Sequence, residues 1–474
     1  MRDGLKLGRA PRIAYLTYST GEFDARTFRM ARSAVRAGWD VTVYARWHPG
    51  FAPVEERDGY RLVRASWDWR FAVPGLRRLA RRRVAAAMAR SARADRSGGA
   101  TERVRDGSAA DGGAVRRASG VPGRLARSAA RLGLLERWHW WRRVREFPLR
   151  PMGWANALLD VVEPADVWHG MWAGSLPALA GMRRRHGGRT IYDSRDVFMR
   201  SREFARLGWP GRAILERLER RWACKADRVL TVNDAYAELL TERLHVPRPA
   251  VVMNCPETWT PPTPAPDLIR EALSIPADTA VVLYQGILTA DRGIEQAMAS
   301  ILKVPCAVLV LMGFGAMRDR LIQEASSPPF LGRVHVLPAV PPDELLTWTA
   351  SADALVMAIQ PTTLNHRYTT PQKLFESLAS GVPVVASDLP GMAAIVQATG
   401  AGVLCDPTSP DSIAAAIESI VAAPPAERAA MRARALRAAH ETYNWESQVG
   451  TLFGVYRELL PAGFAAHGVP AAAR

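Results

Sequence analysis

Residues 365–388 read NHRYTTPQKLFESLASGVPVVASD. Pro371 stands where a helix begins, Gly381 where it stops, and residues 383–386 form an apolar run bounded by Ser387 and Asp388. Loop, helix and buried strand in succession are half of a strand–helix–strand unit of a parallel sheet. Thr370 is placed to cap this helix and Pro371 to open it. Lys373 falls in the first turn, with Glu376 three residues on and therefore on the same face. The chain holds only four lysines (6, 225, 303 and 373) against 59 arginines, so a lysine at this position stands out. An ammonium beside the open N–H groups of a helix start holds a diphosphate, and a carboxylate behind it accepts from ribose hydroxyls. The plain alternative is a capped helix with a surface lysine and glutamate.

The same alternation extends in both directions. Residues 283–298, LYQGILTADRGIEQAM, read as a strand, a turn at Gly286, a loop, and a helix starting near Gly293 with Arg292 beside its amino end. That is a second anion site. Strands are predicted over 280–284, 307–312, 333–337, 354–358, 383–386 and 402–404. Upstream, strands at 12–16, 40–45, 166–169, 189–192 and 228–232 alternate with helices at 27–37, from Leu176, and at 213–226. Between the two series lies TWTPPTPAP (258–266), with four prolines in nine residues, which reads as a linker. The fold class expected is α/β, with two doubly wound domains (1–262 and 263–440) meeting across a cleft at their strand ends. A helix and tail at 441–474 then pack back toward the first domain.

The 474 residues are 48% hydrophobic and 23% charged, the composition of a folded chain with a sizeable core. No run of 18 apolar residues suggests a membrane span, and the first 20 residues lack a signal-peptide pattern, so the cytoplasm is expected. Four scattered cysteines (224, 255, 306 and 405) fit neither a zinc site nor a disulfide framework. The net charge of +17 is confined: residues 76–150 hold 20 arginines and 6 acids, leaving the rest nearly neutral. Within that basic insertion, 91–120 is rich in Ser, Gly, Ala and Arg and is expected to be disordered. Its flanks, 76–90 and 134–147, mix arginine with Leu, Val or Trp. Two readings stay open for them: contact with an anionic membrane at the inner face of the plasma membrane, or a solvated insertion.

Taken together, the order Y-x-G-x-L, R-G, Gly313-x-Gly315, V-x-V-L-P and P-x-K-L-F-E-x-L-A-x-G-V-P-V-V-A-S-D resembles the retaining glycosyltransferases of family 4. GWDVTVYA, DVWHGMW, YDSRDVF, ADRVLTVNDAYAELL and VVMNCP resemble that family's amino-terminal half. The resemblance covers 12–60 and 155–460. It implies the GT-B fold, two Rossmann-like domains, and transfer of a sugar from a nucleoside-diphosphate donor, UDP- or GDP-linked, to a hydroxyl of a glycan or lipid-linked acceptor. It implies that Arg292 and Lys373 stabilise the departing diphosphate and that Glu376 binds the ribose. The strand-end Gly286 and the loop residue Thr370 border the donor, and the backbone at Pro338, Ala339 and Val340 edges the base. His169 faces the sugar, and Gly21 lies where a side chain would obstruct donor or acceptor.

Three departures stand against the family pattern: Tyr368 where a glutamate is frequent, Ile287 where an arginine is frequent, and Arg195 where a histidine is frequent. Asp24 and Arg26 form a candidate acceptor-side pair, with an N-cap and a helix-face arginine as the plain alternative. No Asp-x-Asp closes a strand, so neither a catalytic metal nor a further cofactor is expected. A sugar-nucleotide epimerase or phosphorylase of the same fold would need acid/base pairs that are not evident. A nucleic-acid-binding protein is disfavoured because the charge is confined to one insertion.

Overall fold

The computed structural model describes residues 9–22, 24–96, 145–201, 204, 209–264 and 266–460. The chain divides into two compact units. The first comprises residues 1–231 and 237–251 with the segment from Thr451, and the second comprises 232–236 and 252–450.

The first unit is built on β1 (Arg12–Thr17), β2 (Asp40–Arg46), β3 (Val54–Arg57), β4 (Tyr60–Ala65), β5 (Val167–Met171), β6 (Arg189–Asp193), β7 (Arg228–Thr231) and β8 (Ala250–Val251). Their order in the sheet is β3-β4-β2-β1-β5-β6-β7-β8, parallel except for the β3–β4 hairpin. That hairpin and β8 were not anticipated from the sequence. A two-residue turn makes the hairpin, with Asp58 and Gly59 both at positive φ, the conformation that matches the twist of paired strands.

The second unit holds β9 (Ala280–Ile287), β10 (Ala307–Phe314), β11 (Val334–Leu337), β12 (Ala354–Met357), β13 (Val384–Ser387) and β14 (Gly402–Cys405). All six pair in parallel in the order β11-β10-β9-β12-β13-β14. Alternate residues of one strand feed opposite cores. Val281 and Leu283 join one apolar cluster, and Val282 and Tyr284 the other. A sheet covered on both faces therefore needs unbroken apolar strands, which is why the run 383–386 carries no polar residue.

The chain passes into the second unit at Val252, ahead of the proline-rich stretch, which lies within that unit. Thr258 is fixed there by its N–H and hydroxyl on Glu446 (3.0 and 2.7 Å). From Thr451 the final helix, Trp445–Leu459, is counted with the first unit, where Phe453 and Tyr456 pack on Trp39. Within the basic insertion, Arg77–Arg96 is one helix. It runs six residues into the stretch expected to be disordered, because SARADR is compatible with helix. Residues 97–144, including Trp138, Trp140 and Trp141 and most of the 134–147 flank, lie outside the described residues. No helix among the described residues is long and apolar enough to cross a membrane.

Candidate functional site

In the second sheet the strand order reverses between β9 and β12, and ligands of open α/β sheets bind beyond the carboxyl ends at such a point. β9 carries Tyr284, Gln285 and Gly286 just before its end there at Ile287. Gly286 has φ +117°, and a Cβ on it would lie 3.6 Å from Lys373 Nζ. That distance is an ordinary contact, so the positive φ and not the space is what calls for glycine here. Lys373 lies in the first turn of the helix Gln372–Ala379, with Nζ 3.8 Å from the centre of the Tyr284 ring. The ring face attracts the ammonium, but burial, followed by the charge of Arg292, pushes the lysine down to about 7, against the opposing pull of Glu376.

Arg292 precedes the helix Ile294–Ile301, whose N-cap is Gly293 at φ +74°. Here a Cβ would run into the Ala358 carbonyl oxygen at 1.9 Å, so only glycine lets this loop close onto the end of β12. A backbone bond from Gln360 N–H to the Asp291 carbonyl (3.1 Å) fixes the same approach. Neither this helix nor Gln372–Ala379 has a side-chain cap, so their first N–H groups are not answered by a capping residue.

Glu376 is buried, one turn beyond Lys373. Its Oε2 accepts from Gln285 Nε2 at 2.7 Å, and Gln285 Oε1 lies 2.6 Å from the Thr349 hydroxyl. That hydroxyl also lies 2.7 Å from the Leu345 carbonyl, so one proton serves two acceptors. Gln285 and Thr349 are both buried, and together they orient the carboxylate. Reading the sequence missed them. Gln285 sits within Y-x-G-x-L, but its link to Glu376 spans 91 positions.

Pro338, Ala339 and Val340 follow β11 at the same carboxyl edge, with Pro338 and Ala339 exposed. Thr370 behaves differently from expectation. The helix starts at Gln372 with Pro371 as its N-cap, and the Thr370 hydroxyl instead accepts from Asn233 Nδ2 (2.7 Å) and faces the Gly391 carbonyl (3.3 Å). Pro371 stays extended (φ −72°, ψ 146°), so the helix begins one residue later than expected and Thr370 stands too early to cap it. Tyr368 offers its carbonyl to Asn233 (2.9 Å), and Asn365 accepts from the Tyr236 hydroxyl (2.7 Å). The loop before the lysine is thus held by the segment 232–236.

The candidates of the first unit gather at its own point of reversal, between β1 and β5, but in another manner. His169 is fully buried, with Nδ1 2.7 Å from the Tyr456 hydroxyl and Nε2 3.8 Å from Asp193 Oδ2. Burial pushes the imidazole down, against the pull of Asp193, and leaves it neutral. Asp193 is fully buried and receives Arg26 Nε at 2.8 Å. Burial alone would raise this carboxyl, yet the Arg26 charge and His169 hold it well below the usual range. Asp24 caps the helix Ala25–Arg36, as in the plainer of the two readings. It also accepts from Thr17 and Thr27 hydroxyls (2.7 and 2.6 Å) and from Arg195 (2.8 Å). Gly21, at φ +76°, is packed: a Cβ there would meet Ala45 and Leu62 at 3.2 Å. Among the described residues, no three of His, Cys, Asp and Glu gather as a metal would require.

The second unit carries a strand-reversal site with two cations, two side-chain-free helix starts and an oriented carboxylate. Residues 267–438 match the family of glycosyl transferases group 1. This chain is 28% identical over 226 residues to a D-inositol 3-phosphate glycosyltransferase of Xylanimonas cellulosilytica, covering 46% of this chain and 52% of that one. It is 27% identical over 181 residues to a glycogen synthase of Mycobacterium tuberculosis, covering 37% and 42%. The chain thus spans about half the length of the curated relatives it matches. Among solved structures, a sucrose-phosphate synthase from Thermosynechococcus elongatus aligns with a TM-score of 0.66 at 18% identity, over 95% of this chain and 99% of that one. HepE of Anabaena, in complex with UDP-glucose, aligns at 0.60 and 14% identity, over 94% and 100%. At these identities the structures carry the fold alone. It is GT-B, two parallel-sheet α/β units.

Proposed function

We propose that the protein is a glycosyltransferase that moves a sugar from a nucleoside-diphosphate donor to an acceptor hydroxyl with retention at the anomeric carbon. The observation that carries this reading is the grouping of Arg292, Lys373 and Glu376 around the Gly286 end of β9. The two cations hold the diphosphate and take up the charge that develops on it as the glycosyl–phosphate bond loosens to an oxocarbenium-like state. Glu376, oriented by Gln285, accepts from the ribose hydroxyls. The acceptor oxygen attacks the face that the phosphate leaves, and the leaving phosphate takes its proton. UDP is the first nucleotide to try, because HepE is in complex with UDP-glucose. A glycan or lipid-linked acceptor of the cell envelope fits the match to a lipopolysaccharide core glycosyltransferase of Rhizobium meliloti, 28% identical over 191 residues. With a lipid-linked acceptor, the arginines of the 76–90 flank supply the charge for peripheral contact with an anionic membrane.

A thermal-shift screen of UDP, GDP and their sugars tests the donor site. A ligand at one hundred times its Kd stabilises the folded state by about 2.7 kcal/mol. The expected result is a shift for one base, absent in Lys373→Ala and Glu376→Ala. No shift with any nucleotide overturns the reading, as does inversion at the anomeric carbon seen in the product by NMR.

A further inference from the structure

The first unit contains a pocket of about 630 Å³ that the donor site does not use. One wall is Trp47, just past β2, with residues 66–69, just past β4, so the pocket opens at the carboxyl ends of those strands. The opposite wall comes from the Arg77–Arg96 helix and from the stretch that enters the helix Arg150–Leu158. Arg70, Arg83, Arg90, Arg145 and Arg150 all line it, against a single acid, Asp68.

How these arginines are answered decides what the pocket takes. Arg70 is paired with Asp68 (3.1 Å), and Arg150 grips both oxygens of Glu146 at 2.7 and 2.6 Å. Arg145 reaches Glu146 only at 3.9 Å, and its buried Nε has no hydrogen-bond partner. Arg83 and Arg90 have no carboxylate within ion-pair distance among the described residues, and they lie two helical turns apart on the same helix. Arg46 and Arg150 are both stacked on the Trp67 ring, 4.8 and 4.4 Å from its centre. That ring holds two like charges near one another, and Arg83 and Arg90 add two more at the exposed rim. Such an arrangement is unfavourable until an anion with several charges enters, and a lone carboxylate answers little of it. Phosphate oxygens match the guanidinium forks and carry up to two charges per group.

We propose that this pocket binds the phosphate or diphosphate of a phosphorylated acceptor, carried either by a soluble sugar or by a lipid. Only the word acceptor rests on the glycosyltransferase reading; the binding stands or falls without it.

The test is titration of the full chain with inorganic pyrophosphate and with glucose 1-phosphate, followed by calorimetry and tryptophan emission. Every protein carries Lys373→Ala, so that the donor lysine does not compete. The double variant Arg83→Ala/Arg90→Ala removes two pocket charges, and Arg78→Ala/Arg82→Ala removes two from the same helix outside the pocket. Binding is expected to weaken at least tenfold in the first pair and less than twofold in the second. Equal weakening in both pairs, or no binding before substitution, overturns the proposal. Co-sedimentation with phosphatidylcholine vesicles containing phosphatidic acid then separates the sources. Vesicle binding lost only with Arg83 and Arg90 assigns a lipid phosphate, and soluble binding without vesicle binding assigns a sugar phosphate. Vesicle binding lost equally in both pairs, with no soluble binding, is general adsorption and counts against the pocket. If pocket binding holds while no nucleotide binds the donor site, the pocket survives and the glycosyltransferase reading fails.

Discussion

The two sheets each reverse their strand order once, and each places charged groups at that point, but they use the charge in opposite ways. At β1 and β5 the charges answer one another. Arg26 is paired with Asp193, Arg195 with Asp24, and His169 is wedged between Asp193 and Tyr456, all buried except the half-buried Arg195. At β9 and β12, Lys373 and Arg292 repel each other, and the acid beside them is already tied to Gln285. A closed network fixes a structure, whereas cations left facing one another keep electrostatic free energy for a ligand.

That contrast is broken most sharply by asking which substitutions unfold the protein. Asp193→Asn leaves the Arg26 guanidinium buried without its counter-charge. A loss of about 3–5 kcal/mol of stability is expected, measured by urea unfolding. Lys373→Ala should do the reverse: no loss of stability, since the lysine is held in an unfavourable place, but a fall in donor affinity of about 10- to 100-fold, the worth of a charge-assisted contact of roughly 1.5–3 kcal/mol. Were Asp193→Asn well tolerated and Lys373→Ala destabilising, the two edges would have exchanged roles and the donor assignment would fall.

A smaller effect sharpens the picture within the second edge. Gln285→Leu removes the donor that aims Glu376 and leaves the Thr349 hydroxyl its bond to Leu345. The carboxylate stays but loses its direction, and KM for the donor should rise about tenfold with kcat little changed. A merely structural glutamine would instead lower the melting temperature and leave KM alone. Gln285→Glu is a poor substitute, since it sets two carboxylates together.

Much of this was legible before any coordinate. The apolar runs of β10, β12 and β13 are buried strands, and such runs announce themselves whatever lies around them. Lys373 was conspicuous because lysine is scarce in this chain, and Asp24 as an N-cap is a three-residue signal. The β3–β4 hairpin was missed although Asp58–Gly59 between two β-rich runs carries its own mark. What could not be read were pairings set by tertiary packing. Arg26 meets Asp193 across 167 positions, His169 meets Tyr456 across 287, and Gln285 meets Thr349 across 64. Thr370 is no cap because the helix starts one residue later than expected, and its hydroxyl is instead taken by Asn233, 137 positions away.

The last prediction concerns protons and separates the edges by pH alone. Lys373 stands at about 7, pushed there by burial and by Arg292. A bound diphosphate places negative charge beside the ammonium and raises that value, so binding takes up a proton wherever the free lysine is partly neutral. The sign follows directly. Affinity is full about one unit below pH 7, where the free site is almost wholly protonated, and falls as pH rises through 7 and each binding event must first charge the lysine. Between pH 7 and 8 the donor Kd should rise about fivefold, with proton uptake seen as a buffer-dependent binding enthalpy. Lys373→Arg, charged throughout, should flatten this dependence while keeping some affinity. The buried network of the first unit offers no such titration to the ligand, because His169 is already neutral and Asp193 stays ionised over this range. A pH profile that survives Lys373→Arg unchanged would assign the proton to another group and leave the lysine without its role.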